Sequence, residues 1–213
     1  MNKSLKTFLI VLCAVILLSF LIFKVIEYKN EKENELNYLT IEDFTKTEVD
    51  GKTILENKDI GLKFAVPQGW ETGSSYWSNI SMRSLDFEPL VDDPSGTPFP
   101  KKGCFLDFEV VVPAGIDVYK YDYDFLNNLI NTEGYLESHN EERTNVHYEL
   151  VEVNGLKAVK KTHILENDQE KTVSVQIPFK NKKIYVFTTY LVGQDKERCL
   201  EEFNSFINSV YIY

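Results

Sequence analysis

The stretch Lys171-Thr-Val-Ser-Val-Gln-Ile-Pro-Phe179, followed beyond Asn181-Lys182 by Ile184-Tyr-Val-Phe-Thr-Thr-Tyr-Leu191, decides the fold. Val173, Val175, Ile177 and Phe179 alternate with Thr172, Ser174, Gln176 and Pro178, the period of a strand with one buried face. A turn at Asn181-Lys182 sets Phe179 opposite Ile184, Ile177 opposite Val186 and Val175 opposite Thr188. In the second strand Tyr185, Phe187 and Leu191 make the other face apolar too, which predicts a central strand covered on both sides.

Outward from this hairpin, Asn154-Gly155 marks a second one, because both turn positions need a positive φ that Asn and Gly tolerate. Its register faces Glu152 with Lys157 and Glu149 with Lys160, pairing opposite charges. The same register puts His147 opposite Thr162 and turns His163 to the other face. A third hairpin is predicted across Asn57-Lys58-Asp59, leading into Leu62, Phe64 and Val66 and the punctuation Pro67-Gln-Gly-Trp70. Between these lie a strand from Cys104 to Val112, a helix near Tyr119 to Asn131 and another near Lys196 to Ser209. The last helix carries Cys199, Leu200, Phe203, Phe206, Ile207 and Val210 on one stripe, which must face a sheet. The stretch Glu88 to Gly103, with Pro89, Pro94, Pro98 and Pro100, reads as an irregular loop. Together these elements predict an α+β fold, a central antiparallel sheet flanked by helices in an α/β/α sandwich.

Ahead of this domain, the run from Phe8 to Phe23 contains no charge and is flanked by Lys6 and Lys24. A bilayer core of about 30 Å needs about 20 helical residues, and both lysines can reach the headgroups. The exit Phe20-Leu-Ile-Phe-Lys-Val-Ile-Glu27 lacks a small-x-small cleavage site, and Cys13 follows Val11 and Leu12 rather than a small residue, so the segment reads as a retained anchor. Lys3, Lys6 and the free amine precede it, which keeps the N-terminus in the cytoplasm by the positive-inside rule. The expected organisation is a cytoplasmic N-terminus at 1–6, a transmembrane helix at 7–26, a charged stalk at 27–47 and an extracytoplasmic domain at 48–213.

All 33 acidic residues lie after residue 26; with Lys3, Lys6 and Lys24 set aside, 20 basic residues remain against them, leaving about −13. With no basic cluster longer than Lys182-Lys183, nucleic acid and anionic membrane surfaces are excluded as partners of the domain.

The hairpin ending in Gly61-Leu-Lys-Phe-Ala-Val-Pro-Gln-Gly-Trp70, the central sheet and the closing helix Glu201-Glu-Phe-Asn-Ser-Phe-Ile-Asn-Ser-Val210 resemble the PsbP-like domain. That family includes an extrinsic photosystem II subunit and bacterial membrane-attached relatives. The resemblance covers roughly residues 50 to 213. It implies the fold, and a non-enzymatic accessory role in a larger assembly; the uncleaved anchor departs from the lumenal subunit.

No Gly-x-Ser-x-Gly, Ser-x-x-Lys with a second signature, P-loop or dinucleotide glycine pattern occurs. The histidines His139, His147 and His163 show no zinc spacing. Asp92-Asp93 and the pair Asp122 and Asp124 match no calcium loop, so solvated charge is the reading and no metal or cofactor is expected. Cys104 shares strand phase with Leu106, Phe108, Val110 and Val112, while Cys199 sits on the buried helical stripe. Both point inward, making them candidates for a disulfide or for two buried free thiols. Tyr76, Trp77, Tyr119, Tyr121 and Tyr123 lie outside the cleanest core patterns and form the candidate binding surface, set against the alternative of tyrosines half-buried at a core edge.

The reading is therefore a membrane-anchored extracytoplasmic binding or assembly module with a protein partner in the cell envelope. The alternative is a tethered hydrolase with a carboxylate or serine site in a cleft beside the Glu88 to Gly103 loop.

Overall fold

Antiparallel pairing organises nearly all of the described chain. The computed structural model describes residues 16–25, 39–74, 80–90, 99–111, 123–142, 145–164, 171–180 and 183–213. The chain divides into two units, 1–36 and 37–213. In the first, residues 16–25 are helical with their apolar side chains exposed, Phe20 and Phe23 among them. The rest of the expected 7–26 span lies outside the described residues. Among the described residues no helix is long and apolar enough to cross a membrane.

In the second unit the strands are β1 (Thr45–Val49), β2 (Lys52–Asn57), β3 (Leu62–Ala65), β4 (Trp70–Gly73), β5 (Ile80–Ser84), β6 (Glu88–Pro89), β7 (Pro100–Lys102), β8 (Phe105–Val111), β9 (Val146–Val153), β10 (Leu156–Ile164), β11 (Lys171–Pro178), β12 (Ile184–Leu191) and β13 (Tyr211–Ile212). The helices are α1 (Tyr123–Asn131), α2 (Tyr135–Glu142) and α3 (Lys196–Ile207). Seven strands form the main sheet in the order β4-β5-β8-β12-β11-β10-β9. A second, four-stranded sheet has the order β1-β2-β3-β13, and β6 and β7 form a ribbon within the stretch expected to be irregular.

The α+β class and the antiparallel pairing agree with the sequence; the single central sheet does not. The hairpin across Asn57 belongs to the smaller sheet, where Asn57 faces Leu62. The strand β1 begins at Thr45, inside the segment read as stalk, because all five of its residues are exposed and no apolar alternation marks it. What holds it is backbone pairing with β2, from Thr45 opposite Glu56 to Val49 opposite Lys52.

The Asn154-Gly155 hairpin has the register that its charges predict: Glu152 faces Lys157, and Glu149 faces Lys160 with a 3.3 Å ion pair. Asn154 takes φ 47 and Gly155 φ 84, as that turn requires. The β11–β12 hairpin is displaced by one residue from the expected register. Ile177 faces Tyr185, Val175 faces Phe187, and Phe179 N–H donates to Lys183 O at 2.8 Å. A one-residue slip exchanges faces, and because both faces of β12 are apolar the hydrophobic pattern did not oppose it. The turn itself at Asn181-Lys182 lies outside the described residues.

The two faces of the main sheet bury different partners. On one, Phe108 stacks on Phe187 with ring centroids 4.8 Å apart, and Phe64 and Phe206 pack against them at 6.0 and 5.6 Å. This joins the main sheet to β3 of the smaller sheet and to α3. Tyr185 reaches across and donates its hydroxyl to Ile60 O, and burial pushes its phenol up to about 12. On the other face, Leu126 and Leu129 of α1 pack with Val146, Tyr148, Val159, Ile184 and Val186, and Tyr135 and Leu136 of α2 close the margin.

Candidate functional site

The helix α3 is fixed first by its buried stripe. Cys199, Phe203, Phe206 and Ile207 are buried at helical spacing, followed by Val210, while Leu200 stays half-exposed. Its first turn is bonded to the start of β8: Cys104 and Cys199 form a disulfide with Cα atoms 5.2 Å apart, closing a sequence separation of 95. Around the bond, Gly103 N–H donates to Asp195 Oδ2 at 2.9 Å and Cys104 N–H to Ser84 Oγ at 2.8 Å. Gly103 has φ +77, and a Cβ there would meet Phe87 Cα at 2.6 Å, so only glycine fits between the disulfide and the ribbon.

Beside the disulfide, a line of polar contacts runs along α3 from Asp195 to Glu202. Arg198 pairs with Asp86 at 2.8 Å and lies 3.6 Å from Asp195 and 3.9 Å from Glu202. The hydrogen bond with Ser84, and after it the Arg198 guanidinium, holds the Asp86 carboxyl below its ordinary value of 3.8, with burial opposing. Among the described residues, Arg198 Nε is the one buried side-chain nitrogen or oxygen without a partner. Glu202 in turn accepts the Trp70 indole N–H at 2.6 Å. A charge-assisted bond of that length fixes the indole in orientation.

Trp70 and Glu202 form one side of an open groove of about 710 Å³. Its other walls are the β1–β2 turn (Asp50, Gly51, Lys52), the connection Val66-Pro67-Gln68-Gly69, the last turn of α3 (Ser205, Phe206) and Ser209 just beyond it. Ser209 is occupied, bonding Ala65 and Phe206 backbone atoms. By contrast, the side chains of Asp50, Lys52, Gln68 and Ser205 make no hydrogen bond or ion pair among the described residues. Gln68 and Ser205 are exposed, as are Asp50 and Lys52, so an aromatic ring held in place is ringed by polar groups open to a ligand.

A second polar region, also buried, lies on the face of the main sheet that carries Ile184 and Val186. Register places Ser81, Asp107, Thr188 and Ser174 in one row across β5, β8, β12 and β11. Gln176 donates to Ser174 at 3.3 Å and Tyr190 O–H donates to Asp107 Oδ2 at 3.0 Å. Burial, and then the charges of Asp107 and Glu109, push the Tyr190 phenol well above its ordinary value. The ring of Tyr190 packs on Phe99 and Phe105 at 5.5 and 6.0 Å.

Of the aromatic residues proposed from sequence as a binding surface, Tyr76, Trp77, Tyr119 and Tyr121 lie outside the described residues. Tyr123 opens α1 and packs half-buried against the Leu126 core. The described helix begins at Tyr123, and the expected Tyr119 start falls outside the described residues. His147 and His163 sit on opposite faces of the hairpin, opposite Thr162 and Thr172. His139 lies on α2, its Nδ1 2.8 Å from Tyr135 O. Asp92, Asp93 and Asp122 lie outside the described residues, and Asp124 is exposed. Among the described residues no group of three or more His, Cys, Asp or Glu side chains converges to hold a metal.

The groove was not read from the sequence. Pro67-Gln-Gly-Trp70 stood out as punctuation, but its partner Glu202 lies 132 residues away, and only the fold brings them together.

No protein-family profile matches the chain, and no curated protein does. Among solved structures it is similar to the cyanobacterial PsbP (CyanoP) of Synechocystis, at 12% identity and a TM-score of 0.36, over 82% of this chain and 95% of that one. It is similar also to LpqN of Mycobacterium tuberculosis, a protein involved in cell envelope biogenesis, at 11% identity and a TM-score of 0.40, over 82% and 97%. A protein of Bacteroides thetaiotaomicron matches at 10% identity and a TM-score of 0.33, over 72% of this chain and 45% of that one. A solved PsbP is thus among the structures that the chain matches. Likenesses this distant carry no weight for activity or ligand.

Proposed function

We propose that the chain is a membrane-anchored, extracytoplasmic, non-enzymatic binding or assembly module, and that the groove beside Trp70 is its binding surface. The observation that carries this reading is the set of unpartnered polar side chains, Asp50, Lys52, Gln68 and Ser205, around an indole held by Glu202. A binding site needs few groups but needs them preorganised, and the disulfide and the Phe206 packing hold α3 in place beneath them. The anchor is supported by the uncharged run Phe8 to Phe23 and by the exposed apolar side chains of residues 16–25, a composition that favours lipid over water. The acidic balance of the remainder favours a protein partner in the envelope over nucleic acid.

The test is membrane fractionation of the full chain, protease treatment of intact cells and site-specific photo-cross-linking from Ser205. The reading expects the chain in the membrane pellet, its C-terminal unit cut from outside, and a cross-linked partner lost on Trp70→Ala. Recovery in the supernatant, or digestion of the C-terminal unit only after lysis, would overturn it.

A further inference from the structure

The groove's chemistry is specific enough to name a class of ligand, a step that rests on the reading of this surface as a binding site. We propose that what it grips on its envelope partner is a short carbohydrate chain, with the Trp70 indole as the stacking platform and Asp50, Lys52, Gln68 and Ser205 bonding to sugar hydroxyls.

The charges of the lining decide against an ion. Asp50 and Lys52 oppose one another, and the Glu202 carboxylate has Arg198 3.9 Å away, so the lining has no dominant sign to attract a phosphate or a polycation. An apolar ligand is disfavoured by the cost of drying an ammonium and a carboxylate that gain no partner. An extended peptide adding itself as a strand needs a length of free backbone; between β2 and β3 the backbone is used, with Ile54 paired to Ala65 and Val66 N–H donating to Thr53 O at 2.8 Å, and the edge strand β4 enters the groove only through Trp70.

What remains is a neutral ligand dense in groups that both donate and accept. Lys52 only donates, Asp50 only accepts, and Gln68 and Ser205 do both, which matches a run of hydroxyls. Sugar rings also present C–H faces that pack on an aromatic face, and the bond to Glu202 fixes this ring before a ligand arrives. The cavity of about 710 Å³ exceeds a single sugar ring. At Gly51 and Gly69 nothing lies within 4 Å of where a Cβ would stand, so the rim is open and a longer chain can continue past it.

The experiment is calorimetric titration of the full chain in detergent with three probes: the tetramers of N-acetylglucosamine, of β-1,4-glucose and of α-1,4-glucose. At least one is expected to bind, with tryptophan fluorescence changing in the Trp77→Phe protein, where Trp70 is the remaining tryptophan. Trp70→Ala is expected to weaken binding at least tenfold. Gln68→Ala and Ser205→Ala, both at exposed positions that leave the core untouched, are each expected to weaken it several-fold. Absence of binding by all three tetramers, or binding indifferent to Gln68→Ala, Ser205→Ala and Trp70→Ala together, overturns the carbohydrate assignment. If that happens while the Ser205 photo-cross-link to an envelope protein persists, the binding-module reading stands; if the cross-link is lost as well, both fall.

Discussion

Toward β1–β3 and α3, the seven-stranded sheet presents Phe108, Phe187 and Tyr185; toward α1 and α2, it presents Ile184, Val186, Val159 and Tyr148 beside Asp107, Ser174 and Gln176. The first side is aromatic and closed by a covalent bond. The second is apolar beneath Leu126 and Leu129 of α1 and carries a buried, hydrogen-bonded polar row beside them. The contrast separates two tasks within one sheet. Burying Phe64, Phe108, Phe187 and Phe206 against one another supplies cohesion, and the same packing sets the helix that carries Glu202 and Ser205 to the groove. The polar row is paired internally, which lets it persist in a buried sheet at little cost but contributes little to stability.

This asymmetry has measurable consequences. Phe187→Ala removes a fully buried ring from the centre of the aromatic cluster and is expected to cost about 3–5 kcal/mol in urea unfolding. Joint replacement of Cys104 and Cys199 by Ala is expected to cost about 2–5 kcal/mol under oxidising conditions, and nothing beyond side-chain packing when the parent is reduced first. On the other face, Leu129→Ala is expected to cost about 2–4 kcal/mol. If it equalled or exceeded Phe187→Ala, the division of labour between the faces would be wrong. Tyr190→Phe keeps the ring against Phe99 and Phe105 and removes only the hydroxyl donated to Asp107, for about 1 kcal/mol.

The smallest effect is in pH. Tyr185 is held neutral by burial, with its phenol raised from 10.0 to about 12. Its contribution is therefore fully present below pH 10 and is lost as pH rises toward about 12, because only the unfolded chain releases the proton in that window. Tyr185→Phe should flatten that part of an alkaline stability profile; an unchanged slope would assign the loss to other groups.

How much of this was legible depended on whether a wrong alternative carried a penalty. At Asn154-Gly155, turn geometry and two facing charge pairs agree, so a slip would have broken the Glu152–Lys157 pairing and moved residues other than Asn and Gly into the positive-φ turn positions. In β11–β12 both faces are apolar, a slip costs no burial, and the register was open by one residue. β1 carries no apolar signal, since its stabilisation lies in the backbone, and its first three residues, Thr45–Thr47, fall within the segment read as stalk. The inward direction of Cys104 and Cys199 could be read from strand phase and helix stripe. Their proximity could not, because it depends on where α3 crosses the sheet. The Trp70–Glu202 contact shares that limit: neither residue has a local reason to expect the other.

The bond between Cys104 and Cys199 also makes this portion of the chain a covalent ring, encompassing β8, α1, α2 and the whole β9–β12 meander. A single backbone scission anywhere inside the ring leaves one molecule of unchanged mass apart from the added water. Such a nick stays hidden on a denaturing gel until a reductant is added, when two fragments separate.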